Sequence, residues 1–194
     1  MKVQGTHYRS IWYDHKDCQV KIIDQRWLPH DFRIVALTNL DEFAVAIRDM
    51  WVRGAPLIGA TAAYGVAISL SSDASDSGLQ NTYDTLIETR PTAINLKWAL
   101  DRLLRALGQM SQEDRASKAL ELAHLVAEED VGINKKIGEH GLEIVKKIAS
   151  NKPAGEPVRM LTHCNAGWPA TVDWGTATSP MYHAHEAGIP IHVW

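Results

Sequence analysis

The segment that most constrains the fold is 151–157, whose sequence NKPAGEP holds two prolines and a glycine. Prolines and glycines this close together interrupt both helices and strands, so we predict a linker here. Before the linker the apolar residues follow mainly a helical period, whereas after it strand and helix patterns alternate. We therefore predict a mainly helical N-terminal domain with a long connecting helix over residues 1–150, and the beginning of a second domain over 151–194.

The predicted N-terminal domain begins with β structure. Two short apolar runs, 9–13 and 20–23, are separated by a polar stretch, which predicts a β-hairpin or meander. From Asp41 onwards apolar residues recur at helical spacing. This period predicts a bundle of helices over 41–51, 57–70, 81–88, 93–107 and 112–150. Three glycines in the last of them, Gly132, Gly138 and Gly141, predict that it is kinked or divided.

The residues after the linker read as a strand over 158–162, a helix over 176–187 and a strand over 191–194. This order predicts the opening βαβ unit of a Rossmann-like α/β domain. A βαβ unit alone leaves a strand edge and both sheet faces uncovered, so we expect the domain to be truncated, as a fragment or a cleavage product. The alternative is a short protein whose edge is covered by a partner. The fold class predicted is thus α+β followed by the start of an α/β domain.

Composition and charge exclude several function classes. The formal net charge is −3 at pH 7 and no basic stripe is present, which gives nucleic-acid binding no electrostatic support. No apolar run approaches the roughly 20 residues that cross a bilayer, and the first residues lack the apolar core of a signal peptide. The two cysteines, Cys18 and Cys164, lie far apart and are predicted to be free thiols in a reducing compartment. We expect a cytoplasmic protein that binds neither nucleic acid nor membranes.

Two arginines stand directly before predicted helices that proline opens. Arg53 precedes Gly54 and Pro56, and Arg90 precedes Pro91. A guanidinium fork beside the free N–H groups of a helix N-terminus suits a phosphate, and the glycine lets the backbone approach it. Either motif alone is also explained by a plain turn between helices. Together they could clamp one phosphate from two sides, and the alternative of two plain turns stays open.

A third candidate position is Cys164, at the carboxyl end of the first strand after the linker, where open parallel sheets bind ligands. A thiol there can serve as a nucleophile, acid or base. The alternative is a small buried packing residue, which describes most free cysteines. His163 is adjacent and points to the opposite face of a strand, so no Cys–His pair is implied. His183 and His185 lie two apart on a predicted helix and do not share a face, so no metal site is predicted.

No phosphate-binding or dinucleotide-binding glycine motif follows a predicted strand, so the sequence gives no support for ATP or NAD binding. Three motifs nevertheless stand out as a set. They are RDMWVRGAPLIG at 48–59, TRPTAINL at 89–96 and LTHCNAG at 161–167. In this order and spacing they resemble the methylthioribose-1-phosphate isomerase family, and the resemblance runs over essentially the whole chain. That family is related to the regulatory subunits of the eukaryotic translation-initiation nucleotide-exchange factor.

The resemblance implies an enzyme, a sugar-phosphate isomerase that converts 5-methylthioribose 1-phosphate to 5-methylthioribulose 1-phosphate in methionine salvage, a route of amino-acid biosynthesis. It implies a helical N-terminal domain, a Rossmann-like C-terminal domain, a homodimer and no cofactor. Carried over residue by residue, Arg53, Gly54 and Ala55 hold the substrate phosphate, Arg90 completes the clamp, and Cys164 is the catalytic thiol.

The family's pattern also uses a glutamine for the phosphate, an aspartate as general acid and an Asn-Lys pair, all of which would lie beyond Trp194. The chain by itself is therefore expected to lack part of the site, which its own C-terminal portion would complete as a separate fragment. Two alternatives to the main function remain. One is an isomerase of 5-deoxyribose 1-phosphate or a related sugar phosphate, and the other is a non-catalytic regulatory or interaction protein. The presence of Arg53, Arg90 and Cys164 together favours the enzyme.

Overall fold

The computed structural model describes residues 2–194, in which short strands form three separate small sheets. The strands are β1 (Lys2–Val3), β2 (Thr6–His7), β3 (Ile11–Asp14), β4 (Gln19–Ile23), β5 (Ile34–Leu37), β6 (Val158–Met160) and β7 (Ile191–Val193). β1 pairs antiparallel with β2, and β3, β4 and β5 form an antiparallel meander in that order. The hairpin or meander predicted at the start of the chain is confirmed.

The helices follow the meander. They are α1 (Leu40–Arg48), α2 (Ala55–Leu70), α3 (Asp76–Ile87), α4 (Ile94–Leu107), α5 (Gln112–Ser150) and α6 (Ser179–Glu186). α2 lies at the centre, since it packs against α1, α3, α4 and α5 and twelve of its sixteen residues are buried. Its small residues permit this: a Cβ added at Gly65 would come within 3.2 Å of both Phe43 and Leu86. The position of α2 is therefore fixed by close packing against four other helices.

The meander is held on the helices by its apolar face. Ile11 lies opposite Ile22 across β3 and β4, so both side chains point to the same side of the sheet. Both are fully buried, as are Val20 and Leu37, and all four belong to the main hydrophobic core. The two short apolar runs separated by a polar stretch therefore predicted this layer correctly.

The third helix is longer than the sequence predicted. We expected it over 81–88, whereas α3 begins at Asp76. The side chain of Ser75 accepts the backbone N–H of Gly78 and caps the helix, so the polar residues that resembled a loop form its first turn.

The long helix α5 runs without interruption for 39 residues, so the predicted division at its glycines is wrong, while a kink there stays a prediction. Two of the glycines instead permit close packing of α6. A Cβ at Gly138 would lie 2.3 Å from both His183 Nδ1 and Ser179 Oγ, and a Cβ at Gly141 would lie 2.4 Å from Pro180. Because Gly138 and Gly141 have no side chains, α5 and α6 can pack closely together.

After the linker the predicted strand–helix–strand order is confirmed, with β6 and β7 paired in parallel on either side of α6 in the sequence. A small core of Val145, Val158 and Ala184 joins this unit to α5. Val172, however, lies in the main core, so part of the connecting loop returns to the first 150 residues. The structure is thus a mixed α/β fold with six helices and small sheets. The division at residue 150 and the continuation into a Rossmann-like domain stay predictions.

Within residues 2–194, no helix is long and apolar enough to cross a membrane. The predicted cytoplasmic location stays a prediction.

A candidate anion-binding cavity at the start of helix α2

Three segments that are remote in the sequence enclose one open cavity of about 690 Å³. They are the turn before α2, the turn before α4, and the loop between β6 and α6. The five site residues predicted from the sequence all line this cavity: Arg53, Gly54, Ala55, Arg90 and Cys164. The structure therefore brings the nominated residues together, while their chemical roles stay predictions.

Gly54 occupies a position that only glycine fits. Its backbone has a φ of +99°, a conformation in which an L side chain is strained. A Cβ there would also lie 2.3 Å from the carbonyl oxygen of Ala170 in the opposite wall. Gly54 is the N-cap of α2, and no side chain caps this helix. The helix start is consequently left open towards the cavity, where its N–H groups and dipole favour an anion.

The two arginines are held differently. The Nη2 group of Arg53 donates a hydrogen bond to the backbone oxygen of Gln25 at 2.9 Å, which fixes one side of the guanidinium. Arg90 precedes α4, is half-buried, and makes no side-chain hydrogen bond to any part of the chain between residues 2 and 194. Both guanidinium groups thus retain N–H donors for a ligand.

Gln25 is a member of the site to which the sequence assigned no role. It is buried, and its Nε2 group donates to the backbone oxygen of Pro169 at 2.6 Å. Its backbone oxygen meanwhile accepts the hydrogen bond from Arg53. Gln25 therefore ties the arginine, through its backbone oxygen, to the loop that forms the opposite wall, which its side chain contacts. Only its position at the end of a buried strand distinguished Gln25 in the sequence.

Cys164 has an exposed side chain and lies in the left-handed backbone region, with a φ of +72°. A residue other than glycine rarely adopts this conformation, and such residues cluster at functional sites. The alternative that Cys164 is a buried packing residue is therefore wrong. Cys18 is also exposed, but it lies in the turn between β3 and β4 and does not line the cavity.

The floor of the cavity is anchored from α5 by Asp130. Its Oδ2 atom accepts the N–H of Val172 at 2.7 Å, next to the cavity residues Ala170 and Thr171. Its Oδ1 atom accepts the amide N–H of Asn134 at 2.9 Å. Burial, with a smaller contribution from the nearby Asp173, raises the pKa of Asp130 to about 6. Nothing in the helical pattern around Asp130 indicated this role.

Replacement of Asp130 by Asn is expected to raise the free energy of unfolding at pH 7.5 by about 1–3 kcal/mol, because each pKa unit of the shift corresponds to about 1.4 kcal/mol. The raised pKa means that the protonated form stabilises the folded state below about pH 4 and that this stability is lost as the pH rises through about 6. An asparagine keeps the acceptor for Val172. Asn134, whose Oδ1 atom has no partner within the described chain, can rotate to accept the new amide.

Chemical denaturation at several pH values checks this expectation, and the gain should disappear by pH 4. The matched control is Asp101→Asn, where the Lys97 side chain holds the pKa of the carboxyl below its ordinary value. The control should change stability in the opposite direction. A loss of stability at pH 7.5 in the Asp130 variant would contradict the burial argument.

Of the two histidines that were weighed as metal ligands, His183 is engaged in packing and His185 is exposed. His183 Nδ1 lies 2.9 Å from the backbone oxygen of Ser179, and its ring lies 4.6 Å from that of Trp174. Within the described residues 2–194, no three His, Cys, Asp or Glu side chains are grouped so that they could hold a metal ion.

The chain belongs to the initiation factor 2 subunit family, whose sequence profile matches residues 51–194. Among its relatives, a protein named methylthioribose-1-phosphate isomerase from Escherichia coli O45:K1 (strain S88 / ExPEC) is 58% identical over 194 residues. The alignment covers 100% of this chain and 52% of that protein. The protein of the same name from Sinorhizobium medicae (strain WSM419) is 55% identical, with coverages of 100% and 53%. The resemblance deduced from the motifs is confirmed.

Two solved structures share the fold. The 5-methylthioribose 1-phosphate isomerase of Pyrococcus horikoshii OT3 has a TM-score of 0.81 at 32% identity, covering 100% of this chain and 55% of that one. The translation initiation factor eIF-2B, subunit delta, of A. fulgidus has a TM-score of 0.81 at 38% identity, covering 96% and 54%. The chain therefore spans about half the length of the relatives it matches.

Proposed function

We propose that this chain supplies part of the active site of an aldose–ketose isomerase, which converts 5-methylthioribose 1-phosphate to 5-methylthioribulose 1-phosphate in methionine salvage. The observation that carries the proposal is that Arg53, Arg90 and Cys164 line a single cavity although they are remote in the sequence. The names of relatives that are 50–58% identical over the whole chain support the choice of substrate.

The substrate phosphate would bind between the two arginines and the start of α2. A phosphate monoester carries a charge of about −1.5 to −2 at neutral pH and offers several acceptor oxygens. Arg53 and Arg90 provide N–H donors and positive charge, and the uncapped N-terminus of α2 at Gly54 and Ala55 provides backbone N–H groups. Because Gly54 has no side chain, nothing at this position blocks the approach of the phosphate to the backbone N–H groups.

In the proposed mechanism the thiol of Cys164 acts on the substrate carbons C1 and C2. The phosphate on the anomeric oxygen prevents the ring opening of a free aldose, so an acid must protonate the ring oxygen as its bond to C1 breaks. The hydrogen on C2 then moves to C1, either as a proton through an enediol or as a hydride. Cys164 acts at C1 and C2 as a base or as a stabiliser of developing charge. Electrons are redistributed within one molecule, so the proposed reaction consumes no cofactor.

The main rival is a non-catalytic regulatory protein, because one structural neighbour is named as an initiation-factor subunit. The exposure of Cys164 in the same cavity as two guanidinium groups that retain N–H donors favours the enzyme. A second rival is an isomerase of 5-deoxyribose 1-phosphate, which would use the same phosphate clamp and thiol.

Several finer features belong to the same proposal. Residues 1–150 would form the helical domain, and 151–194 would open a Rossmann-like domain whose remaining strands correspond to the other half of the relatives' length. That half, on the same polypeptide or as a separate fragment, would complete the site with a general acid. A cytoplasmic homodimer is the proposed assembly.

The test is turnover, followed by ³¹P and ¹H nuclear magnetic resonance, of methylthioribose 1-phosphate and of 5-deoxyribose 1-phosphate. It should be measured for residues 1–194 alone and for a polypeptide of the relatives' full length that carries them. We expect formation of the ketose 1-phosphate by the longer polypeptide, faster with the methylthio substrate. If neither sugar phosphate is converted by either polypeptide, the proposed function is wrong.

Replacement of Arg90 by Ala is expected to raise KM for the sugar phosphate about 10–100-fold with a smaller change in kcat, because a hydrogen bond to a charged group contributes about 1.5–3 kcal/mol. Steady-state kinetics measures this. Arg48→Ala is the matched control, since Arg48 is exposed on α1 and does not line the cavity. An unchanged KM in the Arg90 variant would refute its role in phosphate binding.

A further inference from the structure

The loop between β6 and α6, which carries Cys164, holds four residues with positive φ angles. Cys164, Gly167, Trp174 and Gly175 have φ values of +72°, +144°, +72° and +71°. A tryptophan rarely adopts such an angle, because its Cβ then crowds the neighbouring backbone. A conformation of this kind persists only where the surrounding contacts impose it, so the contacts of this loop determine where Cys164 lies.

Two buried side chains of the loop fix the turn at 173–175. The Oδ1 atom of Asp173 accepts the N–H of Trp174 at 2.8 Å, and the Oγ1 atom of Thr171 accepts the N–H of Gly175 at 3.0 Å. The hydroxyl of Thr171 in turn donates to the backbone oxygen of Asp173 at 2.9 Å. The turn is therefore folded around one carboxylate and one hydroxyl.

This turn packs directly against the backbone that follows Cys164. A Cβ added at Gly175 would lie 2.2 Å from the carbonyl carbon of Gly167 and 2.4 Å from the backbone nitrogen of Trp168. Gly167 is three residues beyond Cys164, and Thr171 lines the same cavity as the thiol. Because the two backbones touch, a shift of the turn is transmitted to the segment that holds Cys164.

One contact ties the turn to the N-terminal hairpin of β1 and β2. The Nε2 atom of His7, at the end of β2, lies 2.6 Å from the Oδ2 atom of Asp173, although 166 positions separate the two residues. A carboxylate only accepts hydrogen bonds, so the imidazole donates. The side chain of Asp173 is 4% exposed and that of His7 is 56% exposed. One oxygen of Asp173 thus holds the turn, while the other is held by the hairpin.

The charges around Asp173 make its contact with His7 important. Asp130 on α5 lies close enough for its carboxyl to be repelled by that of Asp173. Arg9 attracts Asp173, but its guanidinium is hydrogen-bonded to Glu128. Without the donor on His7, two buried carboxyl groups would lie near each other with less compensation, which favours movement of the turn.

We propose that His7 and Asp173 are positioning residues, which fix the loop between β6 and α6 so that the Cys164 thiol stays in the anion-binding cavity. This proposal rests on the proposed function and adds to it the means by which the thiol is held. Neither His7 nor Asp173 lines that cavity. Both therefore act on the thiol through the turn at 173–175 and its contact with Gly167.

The kinetic test uses a polypeptide of the relatives' full length and compares His7→Ala with His7→Gln, whose amide can donate from the position of the imidazole Nε2. His7→Ala should lower kcat for methylthioribose 1-phosphate about tenfold or more, while KM changes by less than about threefold, because Arg90 and the start of α2 do not depend on this contact. His7→Gln should keep kcat within about threefold of the unmodified polypeptide. Asp173→Ala should lower kcat at least as much as His7→Ala, and combining the two should lower it no further.

Amide hydrogen exchange followed by mass spectrometry reports on the loop without any substrate. In His7→Ala the peptide over residues 164–178 should exchange about tenfold faster, because the N–H groups of Trp174 and Gly175 lose their fixed acceptors. The peptide over β4 should exchange as before. His140→Ala is the matched control, since His140 is exposed on α5 and does not line the cavity. It should change neither the exchange nor kcat.

Unchanged exchange over residues 164–178 in His7→Ala would overturn the tie between the hairpin and the loop. Faster exchange with an unchanged kcat would overturn the positioning role, and so would an equal loss of kcat in His7→Gln or a further loss in the double variant. If the unmodified polypeptide converts no sugar phosphate, the proposed function fails, while the exchange rates still decide whether His7 holds the loop.

Discussion

Replacement of Cys164 by Ser is expected to lower kcat about 10²–10⁴-fold while KM for the sugar phosphate changes by less than about threefold. Serine keeps the size and polarity of the side chain, but its hydroxyl does not ionise near neutral pH as a thiol can. Because the two arginines remain in place, phosphate binding should survive. Single-turnover and steady-state kinetics with methylthioribose 1-phosphate separate the two parameters.

The matched control is Cys18→Ser, which replaces the other exposed thiol at a turn that does not line the cavity. It should retain full turnover. The backbone of Cys164 has a φ of +72°, which serine tolerates no worse than cysteine does, so the fold is not at risk. Full turnover in the Cys164 variant would show that the thiol has no part in the reaction.

Replacement of Gly54 by Ala is expected to cost roughly 2–5 kcal/mol of stability and to abolish binding of the sugar phosphate. The strained φ of +99° contributes about 1–3 kcal/mol, and overpacking against Ala170 contributes about as much again. The helix start can relieve the clash only by moving away from Ala170, and this movement displaces Arg53 and Ala55. Denaturation and calorimetric titration measure the two effects.

Gly132→Ala is the control for the Gly54 variant. Gly132 lies inside α5, and a Cβ added there would meet nothing within 4 Å. An alanine in a helix interior is favoured over glycine by about 0.5–1 kcal/mol, so this variant should be slightly more stable. Unchanged stability and binding in Gly54→Ala would contradict the close approach of the two walls.

The sequence predicted the strands and helices that show a pattern of apolar residues within their own length. The meander and the helices follow from apolar spacing, and β6, α6 and β7 follow from the pattern after the linker. Two errors came from residues whose role depends on one particular contact, which is distant in the first case and local in the second. The glycines of α5 resembled helix breakers because their contact with α6 joins residues far apart in sequence. The start of α3 resembled a loop because one serine cap decides it.

The residues of the candidate site fall into two groups: those that stand in a sequence motif and those that only a distant contact identifies. Arg53, Gly54, Ala55, Arg90 and Cys164 stand in recognisable motifs, and the structure places them around one cavity. Gln25 and Asp130 were given no role in the site by the sequence. Gln25 and Asp130 act by hydrogen bonds to backbone atoms more than forty positions away, at Pro169 and Val172. Such contacts depend on how remote loops meet, which the residue types alone do not specify.

The most direct measurement is the rate at which iodoacetamide alkylates Cys164 in a Cys18→Ser background, with and without methylthioribose 1-phosphate. If the phosphate lies on Arg53 and Arg90 with the sugar over the thiol, saturating ligand should slow alkylation about tenfold or more, and Arg90→Ala should require about 10–100-fold more ligand for the same protection. An alkylation rate that does not change at saturating ligand would show that the thiol and the phosphate clamp do not share a bound sugar.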